Sequence, residues 1–241
     1  TFVMSAYLHH AKNRDLDTGL KYLKPQGKTI AEIYKIGIPA IIMQALMSLM
    51  TYGANIILGA ISDAAVTAYG VYYKLQQFIF FAAFGMNNAL IPIIGFNYGM
   101  RDSARVKDGI KYGMLYTLVI MALGTLAFQV FAPSIIGVFA LSDETAKLAV
   151  TTIRVVTIGY LFAGANIAFQ GIFQAFGDGV KSLIVSALRL IVIALPLLWL
   201  FSRTGNAARS AWWAFPIAEV GALLVAFALF GRVKKHYSQA E

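Results

Sequence analysis

Gln44, Ser48, Thr51 and Asn55 are spaced four, three and four residues apart, which places all four on one face of a helix. Tyr69, Tyr73, Gln76, Phe80 and Asn87 share one face in the next apolar stretch. Gly159, Ala163, Asn166, Gln170 and Phe173 do the same further on. These are amide, hydroxyl, ring and small side chains, and Met47 adds a thioether to the first stripe. Such groups hydrogen-bond, stack and yield to shape, so their chemistry is recognition of large amphipathic molecules. The candidate substrate-binding set is Gln44, Met47, Thr51, Tyr73, Gln76, Phe80, Asn87, Asn166 and Gln170. Any one of these polar groups taken singly reads as interhelical hydrogen bonding. Three aligned faces together point to one cavity lined by three helices.

Ionisable groups in or near apolar stretches are costly and therefore informative. There are four: Lys74, Arg154, Arg189 and Glu219. Lys74 and Arg154 fall toward the ends of their stretches, where a long side chain reaches water. Glu219 is the one carboxylate within the membrane, and its reading is structural, as an ion-pair candidate with Arg189. A proton or sodium site needs an acid that changes state or coordinates, and a single carboxylate is thin support for one. No Gly-rich loop carries the Lys and Ser/Thr of a phosphate-binding P-loop. His9 and His10 have no accompanying ligand set, there is no Ser-His-Asp or metal constellation, and there are no cysteines. The chain therefore reads as a non-enzyme with no resident metal or cofactor.

The elements that must carry these residues are six long apolar stretches, over residues 33–58, 66–96, 112–137, 147–174, 183–202 and 211–231. A bilayer core of ~30 Å needs about 20 helical residues, and each stretch is long enough. The chain is 59% hydrophobic and 13% charged, about half the charge of a soluble domain. Its mean hydropathy is +0.69. Lipid satisfies no open backbone group, so the spans must be helices. A β-barrel is excluded, because its strands would alternate over about 10 residues. The fold class is all-α membrane protein, a bundle of six transmembrane helices. The net charge of +9 is no nucleic-acid signal. Most Lys and Arg lie before the first span, between the second and third, between the fourth and fifth, or after the sixth. Only Lys147, Arg203 and Arg209 lie on the opposite side. The positive-inside rule then places both ends in the cytoplasm.

Residues 1–8 are apolar and run at once into His9, His10, Lys12 and Arg14, as the tail of a preceding transmembrane helix would. Residues 9–32 read as a cytoplasmic linker between lobes, in which Leu16, Leu20 and Leu23 with Lys21 and Lys24 suit a short interfacial helix. Residues 33–231 form the six-helix lobe and residues 232–241 a cytoplasmic tail. This order, and the absence of an initiating Met, lead to the expectation that the chain is the second part of a longer protein. Ser142 with Thr145 is expected to start the fourth helix. Trp212 and Trp213 are placed as an interfacial aromatic belt would be.

The segments IYKIGIPA (33–40), AYGVYYKLQQF (68–78), ALIPIIGFNYG (89–99), VFALSDE (138–144), FQAFGDG (173–179), LRLIVIALPL (188–197) and WWAFPIAE (212–219) occur in one order and spacing. Arg105 and Val106 follow the third of them. Together the chain resembles the carboxyl-terminal six-helix lobe of the multidrug and toxic compound extrusion (MATE) transporters over about residues 30–240. Bacterial drug-efflux members are the nearest in pattern. The resemblance implies a second, amino-terminal lobe in the same protein, with both lobes facing a central cavity that opens alternately to either side. It further implies export of amphipathic organic cations and drugs across the bacterial plasma membrane, driven by protons or sodium. Some branches carry a Glu and an Asp at positions that align here with Met47 and Ala163. That departure places the coupling ion's site outside this chain. Glu219 matches a family position that is commonly acidic. A lipid-linked oligosaccharide flippase of the same superfamily and a non-transporting membrane scaffold are the alternative readings.

Overall fold

The computed structural model describes residues 25–238 and residue 7, the side chains of residues 32, 35, 36, 40 and 233–238 excepted. The rest of segment 1–8 and most of the linker read over 9–32 lie outside the described residues. Two units are distinguished, Thr1–Gly37 and Ile38–Glu241. In the first, the described part is mainly the opening of helix α1, whose side chains are largely exposed. The second holds the remainder of the chain.

In chain order the helices are α1 (Gly27–Gly59), α2 (Asp63–Gly99), α3 (Ser103–Gly137), α4 (Asp143–Thr157), α5 (Tyr160–Ala175), α6 (Gly179–Ala187), α7 (Ala194–Ser202), α8 (Ala207–Ser210) and α9 (Ala214–Ser238). A π-helical turn, Leu188–Val192, joins α6 to α7, and a 3₁₀ turn, Ala211–Trp213, joins α8 to α9. No strand occurs among the described residues. Five helical segments are long and apolar enough to cross a bilayer: Gly37–Gly59, Asp63–Gly99, Ser103–Gly137, Gly179–Ser202 and Ala207–Arg232. Helices α4 and α5 make the sixth together, as a broken span bent by 50°. Helix α1 starts inside the segment read as linker, and α9 continues through most of the segment read as tail.

Helix starts follow local chemistry. Ser62 caps α2 by accepting from the backbone N–H of Ala65, and Asp102 caps α3 by accepting from that of Arg105. Ser142 caps α4 at the amide of Thr145. Gly177, at φ +76°, turns the chain between α5 and α6, a conformation that costs glycine little. Asp178 and Lys181 pair just after that turn, in the first turn of α6.

Two departures from a plain six-rod bundle matter for the site. The fourth apolar stretch does not continue as one helix. It breaks at Ile158–Gly159, where Gly159 is pressed against Pro216 so closely that a Cβ would stand 2.9 Å from the proline Cα. The carbonyls freed at the bend are recovered by α3: Gln129 donates to Arg154 O at 2.7 Å and Thr125 to Thr157 O at 3.3 Å. In the fifth span, Pro196 supplies no N–H to Val192 and its ring crowds that carbonyl. The backbone widens just before it, and Ile193 N–H bonds Leu188 O at 3.0 Å, five residues back. Trp212 departs from its expected place in an interfacial belt. It is fully buried and donates to Ala208 O at 2.8 Å, whereas Trp213 is half exposed.

Helix α2 packs on α3, α4 and α5, and α5 packs on α3, α6 and α9. Small residues let these axes approach: a Cβ at Gly113 would meet Leu90, one at Gly124 would meet Ile79, and one at Gly164 would meet Met121. Lipid is as apolar as leucine, so close packing and polar contacts between helices, more than apolar burial, hold such a bundle together.

Candidate functional site

A partly open cavity of about 580 Å³ lies within the second unit. Helix α1 contributes Gln44, Met47 and Thr51, together with Met43 and Met50. Helix α2 contributes Tyr73, Gln76, Phe80 and Asn87, together with Tyr69, Tyr72 and Phe84. The bend between α4 and α5 presents Gly159 and Tyr160, and α5 itself presents Ala163, Gln170 and Gln174. Ser186, Arg189, Phe215 and Glu219 complete the wall from the fifth and sixth spans.

Aromatic rings shape one end. Tyr69 stacks on Phe215 with centroids 5.9 Å apart and planes 19° apart, and its hydroxyl meets Met50 Sδ at 3.6 Å. Phe80 meets the edge of Tyr160 at 5.2 Å. Thr51 turns its hydroxyl back on Met47 O, and Asn55 bonds Thr51 O, so the polar stripe of α1 is partly spent on its own backbone. Ser48 and Asn55 are not on the cavity wall, and neither is Phe173, which is buried in a core cluster with Phe169 and Val185.

Arg189 and Glu219 form a buried ion pair. Arg189 Nη2 donates to Glu219 Oε1 at 2.7 Å and Nε donates to the same oxygen at 3.0 Å. The side chains are 7% and 15% exposed. Asn166 completes the set by donating Nδ2 to Glu219 Oε2 at 2.8 Å and to Glu219 O at 2.9 Å. Each carboxylate oxygen thus has a donor, which a charge at this depth requires. Asn166 is fully buried and lies behind the wall, unlike the other eight candidate binding residues, which reach it. The reason is the burial of α5 on nearly all sides, which lets its polar residues turn toward neighbouring helices as well as toward the cavity.

Sequence reasoning expected the Arg189–Glu219 pair but missed Ser182 and Ser186, the serines that partner that helix. Ser182, Ser186 and Arg189 lie along the fifth span opposite Asn166, Gln170 and Gln174 on α5. Gln174 Nε2 donates to Ser182 Oγ at 2.9 Å, and Ser186 Oγ donates to Gln170 Oε1 at 3.0 Å. The ion pair with Asn166 makes the third rung. The spacings 182, 186, 189 and 166, 170, 174 carried the signal, each being one helical turn. Asn87 Oδ1 and Gln170 Nε2 are buried atoms of wall residues that have no hydrogen-bond partner among the described residues. Lys74 and Arg154 are exposed and stand off the wall. Among the described residues no three His, Cys, Asp or Glu converge as a metal site would need.

The arrangement of amides, rings and methionines around a partly open cavity suits binding. The chain is 29% identical over 235 residues to the multidrug export protein MepA of Staphylococcus aureus (strain bovine RF122 / ET3-1), covering 94% of this chain and 51% of that protein. It is 31% identical over 224 residues to MepA of Staphylococcus haemolyticus (strain JCSC1435), covering 91% and 48%. The chain spans about half the length of the curated relatives it matches. Its fold superposes on a crystal structure of a MATE protein in complex with MaL6 at a TM-score of 0.88 and 21% identity, over 98% of this chain and 54% of that one. The bent form of the Vibrio cholerae MATE transporter VcmN gives 0.81 at 21% identity, over 90% and 49%. The sequence profile of the MatE family matches residues 39–200, most of the chain, and the chain belongs to that family.

Proposed function

We propose that this chain is one lobe of a secondary active multidrug exporter and forms one wall of its substrate cavity. The observation that carries this reading is the cavity itself. About 580 Å³ lined by amides, rings and methionines falls within the size range of small-molecule sites, and its polar groups converge from five spans. Methionine and aromatic walls repack around ligands of differing shape. The multidrug export activity named for its relatives in Staphylococcus supports the same reading.

In this reading the substrates are amphipathic organic cations and drugs. Gln44, Met47, Thr51, Tyr73, Gln76, Phe80, Asn87 and Gln170 contact them, while Asn166 holds Glu219 in place behind the wall. The other wall belongs to an amino-terminal lobe of the same protein, and a proton or sodium gradient drives the alternation through an ion site in that lobe. The protein resides in the bacterial plasma membrane with both ends of this lobe cytoplasmic.

The test is dye export by the full-length protein in bacteria lacking their major efflux pumps. Cells loaded with a lipophilic cationic dye should lose it faster than empty-vector cells, and a protonophore or a sodium ionophore should abolish the difference. Equal dye retention in both strains, with the protein present in the membrane, would overturn the proposal.

A further inference from the structure

Arg189 and Glu219 are the only charged side chains on the cavity wall, among the described residues. They are bonded to each other at 2.7 Å, and the second carboxylate oxygen is taken by Asn166. The π-helical turn that carries Arg189 sits directly before the crowded stretch leading to Pro196, and two hydrogen bonds to Glu219 Oε1 hold the guanidinium. A carboxylate left open on this wall would hold a permanent cation and slow its release. A guanidinium left open would repel one. The pair does neither.

We infer that Arg189 is the resident counter-ion of Glu219 and keeps this wall electrically neutral, so that the lobe admits cationic and uncharged amphipathic molecules alike. Arg189 and Glu219 are then specificity-determining residues acting through their mutual cancellation. Among the contact residues named above, the rings of Tyr73 and Phe80 attract cations and apolar groups alike. The inference rests on the exporter reading above.

The experiment uses the full-length protein in energised membrane vesicles and two dyes of matched shape. One carries a permanent quaternary ammonium and the other is uncharged. The readout is the ratio of their initial export rates, cation over neutral. Glu219→Gln leaves the Arg189 guanidinium with no carboxylate beside it. The ratio should fall about tenfold, the effect of one uncompensated charge roughly 12 Å away at an effective dielectric of about 20. The double variant Arg189→Gln with Glu219→Gln removes both charges and should restore the ratio to within about twofold of the original, which no purely structural role of the pair would do. Arg189→Lys keeps the charge and should leave the ratio unchanged even if the protein becomes less stable. A ratio that is the same in all variants, or a tenfold change in Arg189→Lys, would overturn the counter-ion role. Export of neither dye by the unaltered protein would instead remove the exporter reading on which it rests.

Discussion

The amide of Asn87 lies so close to the backbone of Gly171 that a Cβ at position 171 would stand 1.7 Å from Asn87 Oδ1. This contact sets the distance between α2 and α5 beside the cavity. The amide that makes the contact belongs to the wall. Alanine is the better helix former by about 1 kcal/mol, so helix propensity alone favours Gly171→Ala. Overpacking should win, because neither helix can retreat without losing its other neighbours. We expect a net loss of ~1–3 kcal/mol. Asn87→Ala in the same protein should relieve the clash and recover most of the loss. Thermal unfolding of the full-length protein in detergent checks both, and a Gly171→Ala protein as stable as the original would refute the close approach.

Gln76 and Asn166 separate a wall residue from one that holds the wall in place. Gln76 is partly exposed in the cavity, and Gln76→Leu should alter export rates while membrane abundance and thermal midpoint stay near the original. Asn166→Leu strands Glu219 Oε2 without its donor. Leaving a buried charged acceptor unsatisfied costs about 1–3 kcal/mol or more. This variant should therefore show a lowered midpoint and lowered abundance before any change in selectivity. Equal stability of the two variants would mean that Asn166 faces the cavity after all.

The spans were legible because lipid permits so little else: about 20 apolar residues in a row have one stable conformation. The face of α2 on the cavity was legible for a related reason, whereas the α1 stripe holds Ser48 and Asn55 as well, which stand off the wall. Each helix has one polar stripe, and a 3.6-residue period locates it. Helix α5 defeats that logic, because residues from Tyr160 to Phe173 are buried on nearly all sides. A polar residue there can face cavity or neighbour, and Asn166 took the neighbour. Periodicity also assumes a continuous helix. The break at Gly159 depends on Pro216, more than 50 residues away, and nothing local announces it. The pairing of Arg189 with Glu219 was legible because opposite charges in lipid seek each other, but the wide turn at Leu188–Val192 that carries Arg189 was not read from the sequence.

The bend between α4 and α5 depends on α3. Gln129 Nε2 bonds both Arg154 O at 2.7 Å and Thr157 Oγ1 at 2.9 Å. Thr125 supports the same bend through Thr157 O at 3.3 Å, but its hydroxyl also bonds Met121 O at 2.8 Å within its own helix. Gln129→Leu should thus cost more than Thr125→Val, at about 1–3 kcal/mol against roughly 1 kcal/mol or less. Unfolding midpoints of the two variants in detergent give the order, and a larger loss for Thr125→Val would show that the bend is held from elsewhere.

The two serine rungs between α5 and the fifth span should differ in the same way. Ser186 is 3% exposed and is the donor to Gln170 Oε1, while Gln170 Nε2 has no partner among the described residues. Ser186→Ala removes the one hydrogen bond that fixes the Gln170 amide. That amide is on the wall, so it becomes free to rotate into the cavity. Ser182 is fully buried, yet its partner Gln174 is only partly so and has room to find another acceptor. Ser182 also touches Met43 Sδ at 3.4 Å, a weak acceptor whose loss matters little. Ser186→Ala should therefore cost about 1–2 kcal/mol and change the relative export of substrates that differ in hydrogen-bonding groups. Ser182→Ala should cost less and leave those preferences alone. Paired export assays with two such substrates, alongside unfolding midpoints, distinguish the rungs. The reverse order would place the polar end of the cavity at Gln174 and not at Gln170.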